Sequence, residues 1–154
     1  MAKLELKDIL SAIDQGGRDL WDLFDDEQKK SVSFFLMNRY ASSVKTSKRE
    51  VQEHFVLATN EYFNKHFFTL SKHPKLLWQL LCMCGYENKQ EYFHEWIGFK
   101  KKKGETKKTK LLEALLPNAK EEDIELLAKI NSMKELKELA INHGLSDKEI
   151  AKYF

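Results

Sequence analysis

The side chains most able to do chemistry are concentrated in Phe99-Lys-Lys-Lys-Lys-Gly-Glu-Thr-Lys-Lys-Thr-Lys110, which holds seven lysines and one glutamate. Lysine ammonium groups are mobile point charges that attract a phosphate backbone without reading bases. Lys100, Lys101, Lys102, Lys103, Lys107, Lys108 and Lys110 are therefore the candidate nucleic-acid contacts, weighed against a plain solvated face. If several of them each neutralise a phosphate, affinity falls steeply with salt.

Other chemistries find less support. Gly104-Glu-Thr-Lys-Lys-Thr109 only loosely resembles a phosphate loop. It lacks the first glycine at the right distance and the Gly-Lys-[Ser/Thr] ending, so its amides cannot form a phosphate-cradling nest, and no strand precedes it. Metal binding would draw on Cys82, Cys84, His73 and His94. A Cys-x-Cys pair on a helix points its thiols roughly 200° apart, which suits small core residues better than one tetrahedral ion. The acidic residues cluster at helix starts, where capping explains them. No catalytic residue, metal or cofactor is expected.

The elements that position these residues read as helices throughout, so the expected fold class is all-α. Leu4 to Ile13 forms an amphipathic helix stopped at Gly16-Gly17, followed by a short apolar segment, Leu20 to Phe24. Asp25 or Asp26 can cap one helix running through Phe34-Phe-Leu-Met-Asn-Arg-Tyr40. Ser47 and Glu50 form a capping box for a helix with Val51, Phe55, Ala58 and Tyr62 on one side. Pro74 fits the first turn of a mostly apolar helix that ends at Gly85. Asn88 and Glu91 repeat the capping pattern before a helix with Tyr92, Phe93, Trp96 and Ile97, ended by Gly98. Helices then follow over Leu111–Leu116 and roughly Lys120–Ile130, then behind the Ser132/Glu135 and Ser146/Glu149 boxes.

Charge divides the chain in three. Residues 1–98 carry 13 basic and 14 acidic side chains, residues 99–110 carry a net +6, and residues 111–154 carry 6 basic against 9 acidic. We read a helical domain over 1–98, a basic joint over 99–110 and a small helical domain over 111–154. The charged start has no secretory h-region, and no apolar run approaches the roughly 20 residues of a membrane span. An intracellular protein with reduced thiols and no membrane partner is expected.

Two features point to partners. Phe67, Phe68, Tyr92 and Trp96 are a surplus of aromatics for so small a domain, suited to a protein interface or to plain core. Leu136 to Ile150 resembles a helix-turn-helix, with Ala140 small, Gly144 at the turn and Ile150 packing back. Its second helix starts Asp147-Lys148-Glu149, a poor start for base reading. A small helix-turn-helix transcription regulator is thus the alternative reading.

The block Phe34 to Tyr40, the Ala58-Thr-Asn-Glu61 helix, the basic tract, the Glu121-Glu-Asp-Ile-Glu125 helix and the Gly144-Leu-Ser146 turn together resemble the small subunit of the sliding-clamp loader of T-even-type tailed phages. That resemblance implies a non-catalytic subunit assembled with four copies of an ATPase subunit into an open ring. Residues 1–98 would join the helical collar, and about 105–154 would span the gap in the ring near the sliding clamp and primer-template DNA. It also implies replication in the cytoplasm of an infected bacterial host.

Overall fold

The computed structural model describes residues 4–97 and 105–153. Its elements are almost all helical, as the sequence predicts, with one two-residue strand pair among the described residues. The chain divides into two compact units, Met1–Ile97 and Gly98–Phe154.

In the first unit, α1 (Leu6–Asp14) buries Ile9, Leu10, Ala12 and Ile13 along one face. It ends where the sequence places its stop. Gly16 adopts φ +71°, its N–H bonds Ile13 O at 3.1 Å, and Gly17 N–H bonds Ala12 O at 2.8 Å. These two bonds satisfy carbonyls that the last turn would leave open, and the left-handed geometry favours glycine. After α2 (Leu20–Leu23), Asp25 caps α3 (Asp26–Ser31) in a box with Gln28. The expected single helix through Tyr40 is broken. Val32 is extended, and Ser33 caps a new helix, α4 (Phe34–Ser42), by accepting from Leu36 N–H.

Strand β1 (Val44–Lys45) follows, and α5 (Arg49–Ala58) opens with Lys48 at the cap position and no side-chain cap. The Ser47–Glu50 box therefore does not form, because the helix begins one residue too late for that spacing. From Thr59 to Phe63 the backbone takes a π-helical turn, then a 3-10 turn over Asn64–His66. The wider turn shifts the register by one residue. Phe63, at 0% exposure, fills the core position that a regular helix would give Tyr62, which is 40% exposed.

Helix α6 (Pro74–Cys82) carries Pro74 in its first turn and buries Leu77, Trp78, Leu81 and Cys82. Trp78 is wholly buried and donates its Nε1–H to Gly17 O at 3.0 Å. It meets Trp21 and Phe24 at centroid distances of 6.0 and 5.3 Å. Gly85 lies beyond α6 and meets a different requirement from the expected helix stop. A Cβ there would lie 2.8 Å from Asp14 O and 2.9 Å from Ile13 O, so its bare Cα permits close approach to the end of α1.

The expected helix over Tyr92–Ile97 is absent, and the segment runs extended. Strand β2 (Phe93–His94) pairs antiparallel with β1, Val44 opposite His94. Lys89 takes φ +51°, which interrupts helical geometry. Asn88 Oδ1 accepts from Gln90 N–H, and Glu91 reaches across to Ser11 and Gln15 instead of closing a box.

The second unit is built on leucine and isoleucine. Helix α7 (Lys107–Leu115) is capped by Thr106 with Thr109 and begins inside the lysine tract. It is followed by α8 (Glu121–Ile130), α9 (Met133–Asn142) and α10 (Asp147–Ile150). Leu111, Leu112, Leu127 and Leu136 are wholly buried at its core. The Ser132/Glu135 and Ser146/Glu149 boxes both form. At the end of α9, Gly144 repeats the Gly16 arrangement with φ +88°; its N–H bonds Ile141 O at 2.9 Å and Leu145 N–H bonds Ala140 O at 3.0 Å.

Candidate interaction surfaces

The seven lysines divide. Lys100, Lys101, Lys102 and Lys103 lie outside the described residues. Lys107, Lys108 and Lys110 sit in the opening of α7, carried there by the Thr106 cap. Lys108 Nζ donates to Asn131 O at 2.6 Å and Ala128 O at 3.2 Å. A lysine at a helix C-terminus satisfies open carbonyls and complements the negative end of the dipole, so Lys108 has a structural role closing α8. Lys110 forms an exposed pair with Glu105 at 3.2 Å.

The four aromatics separate as well. Phe67 is half-buried against Phe63, at 5.7 Å between ring centroids. Tyr92 packs edge-on against Phe55 at 5.4 Å in a small second cluster with Val44 and Val51. Phe68 and Trp96 face outward, at 86% and 46% exposure. The Arg39 guanidinium lies 5.0 Å from the Trp96 ring centroid, while its Nη2 donates to Ile97 O at 2.9 Å. Trp96, Tyr40, Leu36, Met37, Leu6 and Ile9 line an open apolar groove of about 480 Å³ between α1 and α4.

Sequence reasoning missed the pairing of Asp14 with His94. Both side chains are almost wholly buried, with Nε2 3.0 Å from Oδ1. His94 Nδ1 lies 2.7 Å from Tyr40 O, to which it donates, and Asp14 Oδ2 accepts from Tyr92 N–H at 2.7 Å. These bonds fasten the extended segment across α1 and α4. With both ring nitrogens engaged, His94 cannot serve the metal role considered for it. Cys82 and Cys84 are buried, and burial, with the neighbouring Cys84, pushes the Cys82 thiol up to about 12. Among the described residues no group of three His, Cys, Asp or Glu gathers as a metal site, and no helix is long and apolar enough to cross a membrane.

At the end of the chain α10 has only four residues, preceded by Ser146 as its cap. A helix of that length and acidic start presents little to a major groove. Comparison with family models, curated proteins and solved structures finds no match.

Proposed function

We propose that the chain is a non-catalytic subunit of a phage DNA polymerase sliding-clamp loader, scaffolding an ATPase ring and contacting primer-template DNA or the clamp. The observation that carries this reading is the ordered run of motifs from Phe34-Phe-Leu-Met-Asn-Arg-Tyr40 to Gly144-Leu-Ser146, which resembles the small subunit of that assembly across most of the chain. Two physical features support it. The loosely loop-like segment at Gly104 lacks the glycine and Lys-Ser/Thr pattern needed to cradle a triphosphate, so the energy would come from partner subunits. Outward-facing apolar side chains are concentrated in the first unit, among them Leu23, Phe35, Phe68, Phe93 and Trp96, as a subunit that buries part of its surface against neighbours would require.

Trp96 and its groove are the part of that surface best suited to an apolar partner helix, since a half-exposed tryptophan stacked by arginine is a frequent binding anchor. Lys100–Lys103 would lie toward DNA phosphates. Co-expression with the clamp-loader ATPase subunit tests the assignment. A stable hetero-complex with DNA-stimulated hydrolysis, absent from this chain alone, is the expected result. A chain that remains a free homodimer and binds one DNA sequence selectively would instead fit the transcription-regulator reading.

A further inference from the structure

The first unit carries a second surface that shares no lining residue with the Trp96 groove. Residues 62–86 contain three lysines, two histidines and no carboxylate, whereas the rest of residues 1–98 carries ten basic against fourteen acidic side chains. The unit's charge is thus separated along its sequence. The turn after the 3-10 segment presents Phe68, 86% exposed, its ring edge-on to Phe67 at 5.2 Å and so supported from below. The turn leads directly into α6, where Lys72, His73, Pro74, Lys75, Leu76 and Gln79 line a hollow of about 390 Å³. Lys65 and Lys75 make exposed pairs with Glu61 and Asp22, contacts that contribute little when solvated. Among the described residues, no ion pair engages Lys72, His66 or His73.

We infer that this surface docks an acidic peptide segment bearing an apolar residue, its carboxylates facing Lys72 and Lys75 and its apolar side chain seated against Phe68, Pro74 and Leu76. Charge complementarity selects the acidic partner, and Phe68, on the turn that leads into a hollow whose lining includes Pro74 and Leu76, selects a peptide with an apolar residue over a nucleic acid. A strand of nucleic acid needs cations along successive phosphates. Here Glu61 and Asp22 stand beside Lys65 and Lys75 and interrupt any run of cations, and the hollow is too short to track a backbone. The inference stands apart from the clamp-loader reading, since it concerns the chain alone and neither its lysine tract nor its assembly.

The test uses the full chain and a fluorescein-labelled twelve-residue peptide of Asp and Glu with two central leucines. A peptide with Lys in place of every acid, and a twelve-residue oligothymidine, serve as comparisons. Saturable binding of the acidic peptide is expected, weakened roughly tenfold or more by Lys72→Glu and by Phe68→Ser, where a tenfold change corresponds to about 1.4 kcal/mol. Both substituted side chains are exposed, and circular dichroism checks that helix content is kept. Changing Lys100–Lys103 to glutamine leaves this binding unaltered. Absence of saturable binding overturns the inference, as does binding indifferent to both surface variants or lost only with the Lys100–Lys103 change. Tighter, Lys72-dependent binding of oligothymidine overturns it in favour of a nucleic-acid surface.

Discussion

His94 and Asp14, eighty residues apart in the chain, meet with Nε2 3.0 Å from Oδ1 in a site that water does not reach. Each partner satisfies a second demand as well: the ring bonds Tyr40 O, and the carboxylate accepts from Tyr92 N–H. Removing one side therefore leaves a buried polar group without its partner. Asp14→Ala is expected to destabilise the first unit by about 3 kcal/mol. Replacing both residues together should cost less than the two single changes summed. Urea unfolding of the four proteins in the cycle measures this, and strict additivity would show that the two side chains do not act as a pair.

Cys82 gives a prediction with a defined pH window. Its thiol is pushed from 9.0 to about 12, chiefly by burial. Below 9.0 the folded and unfolded thiols both keep their proton. Above it the unfolded thiol ionises while the folded one does not, so stability falls as pH rises towards 12. Iodoacetamide at pH 8 should leave Cys82 unlabelled in the native chain and label it readily in urea. Rapid labelling of the native protein at that position would contradict its burial.

Gly85→Ala should destabilise the chain by about 2 kcal/mol, as overpacking against backbone usually does. The new Cβ would face two carbonyl oxygens at 2.8 and 2.9 Å, neither of which can swing aside like a flexible side chain. Thermal unfolding decides it: an unchanged midpoint would mean that the end of α1 yields at little cost.

Trp96 is the one tryptophan with substantial exposure, because Trp21 and Trp78 are 6% and 0% exposed. Trp96→Phe should therefore remove most of the acrylamide-quenchable emission and leave the blue-shifted remainder. Equal quenching before and after the change would place Trp96 inside the core. In an assembled complex, loss of quenching from the unchanged protein would report a partner seated in its groove.

Within the lysine tract, Lys108→Met is expected to lower the stability of the second unit by about 1–2 kcal/mol, since it removes charge-assisted bonds to two carbonyls. Lys110→Gln should change stability by less than about 0.5 kcal/mol, its pair with Glu105 being exposed. Chemical unfolding separates the two, and equal effects would remove the distinction between a capping and a surface lysine.

What the sequence made legible is the information carried by neighbours in the chain. The Ser132/Glu135 and Ser146/Glu149 boxes, Pro74 in a first turn and the stop at Gly16 each depend on residues within one or two helical turns, and each forms as expected. The helix read over Tyr92–Ile97 failed for the opposite reason. Asn88 and Glu91 have the right spacing, but Glu91 bonds Ser11 and Gln15, and His94 bonds Asp14, contacts that span 76 to 80 residues. Long-range partners outcompeted a local cap. The interaction surfaces were legible as residue types but not as an arrangement. Phe67 and Phe68 are adjacent in sequence, yet one supports the core while the other stands clear of it.

The wide turn over Thr59–Phe63 has a consequence for how this chain tolerates change. Deleting one residue there, such as the exposed Glu61, would let the backbone relax into ordinary winding with every side chain downstream keeping its facing, because the turn holds one residue more than regular winding needs. Phe63 would stay against Phe34 and Phe67, whereas an inserted residue would rotate everything beyond it by about 100° and turn Phe63 outward. The segment can therefore lose one residue without disturbing the core, but it has no room to gain one.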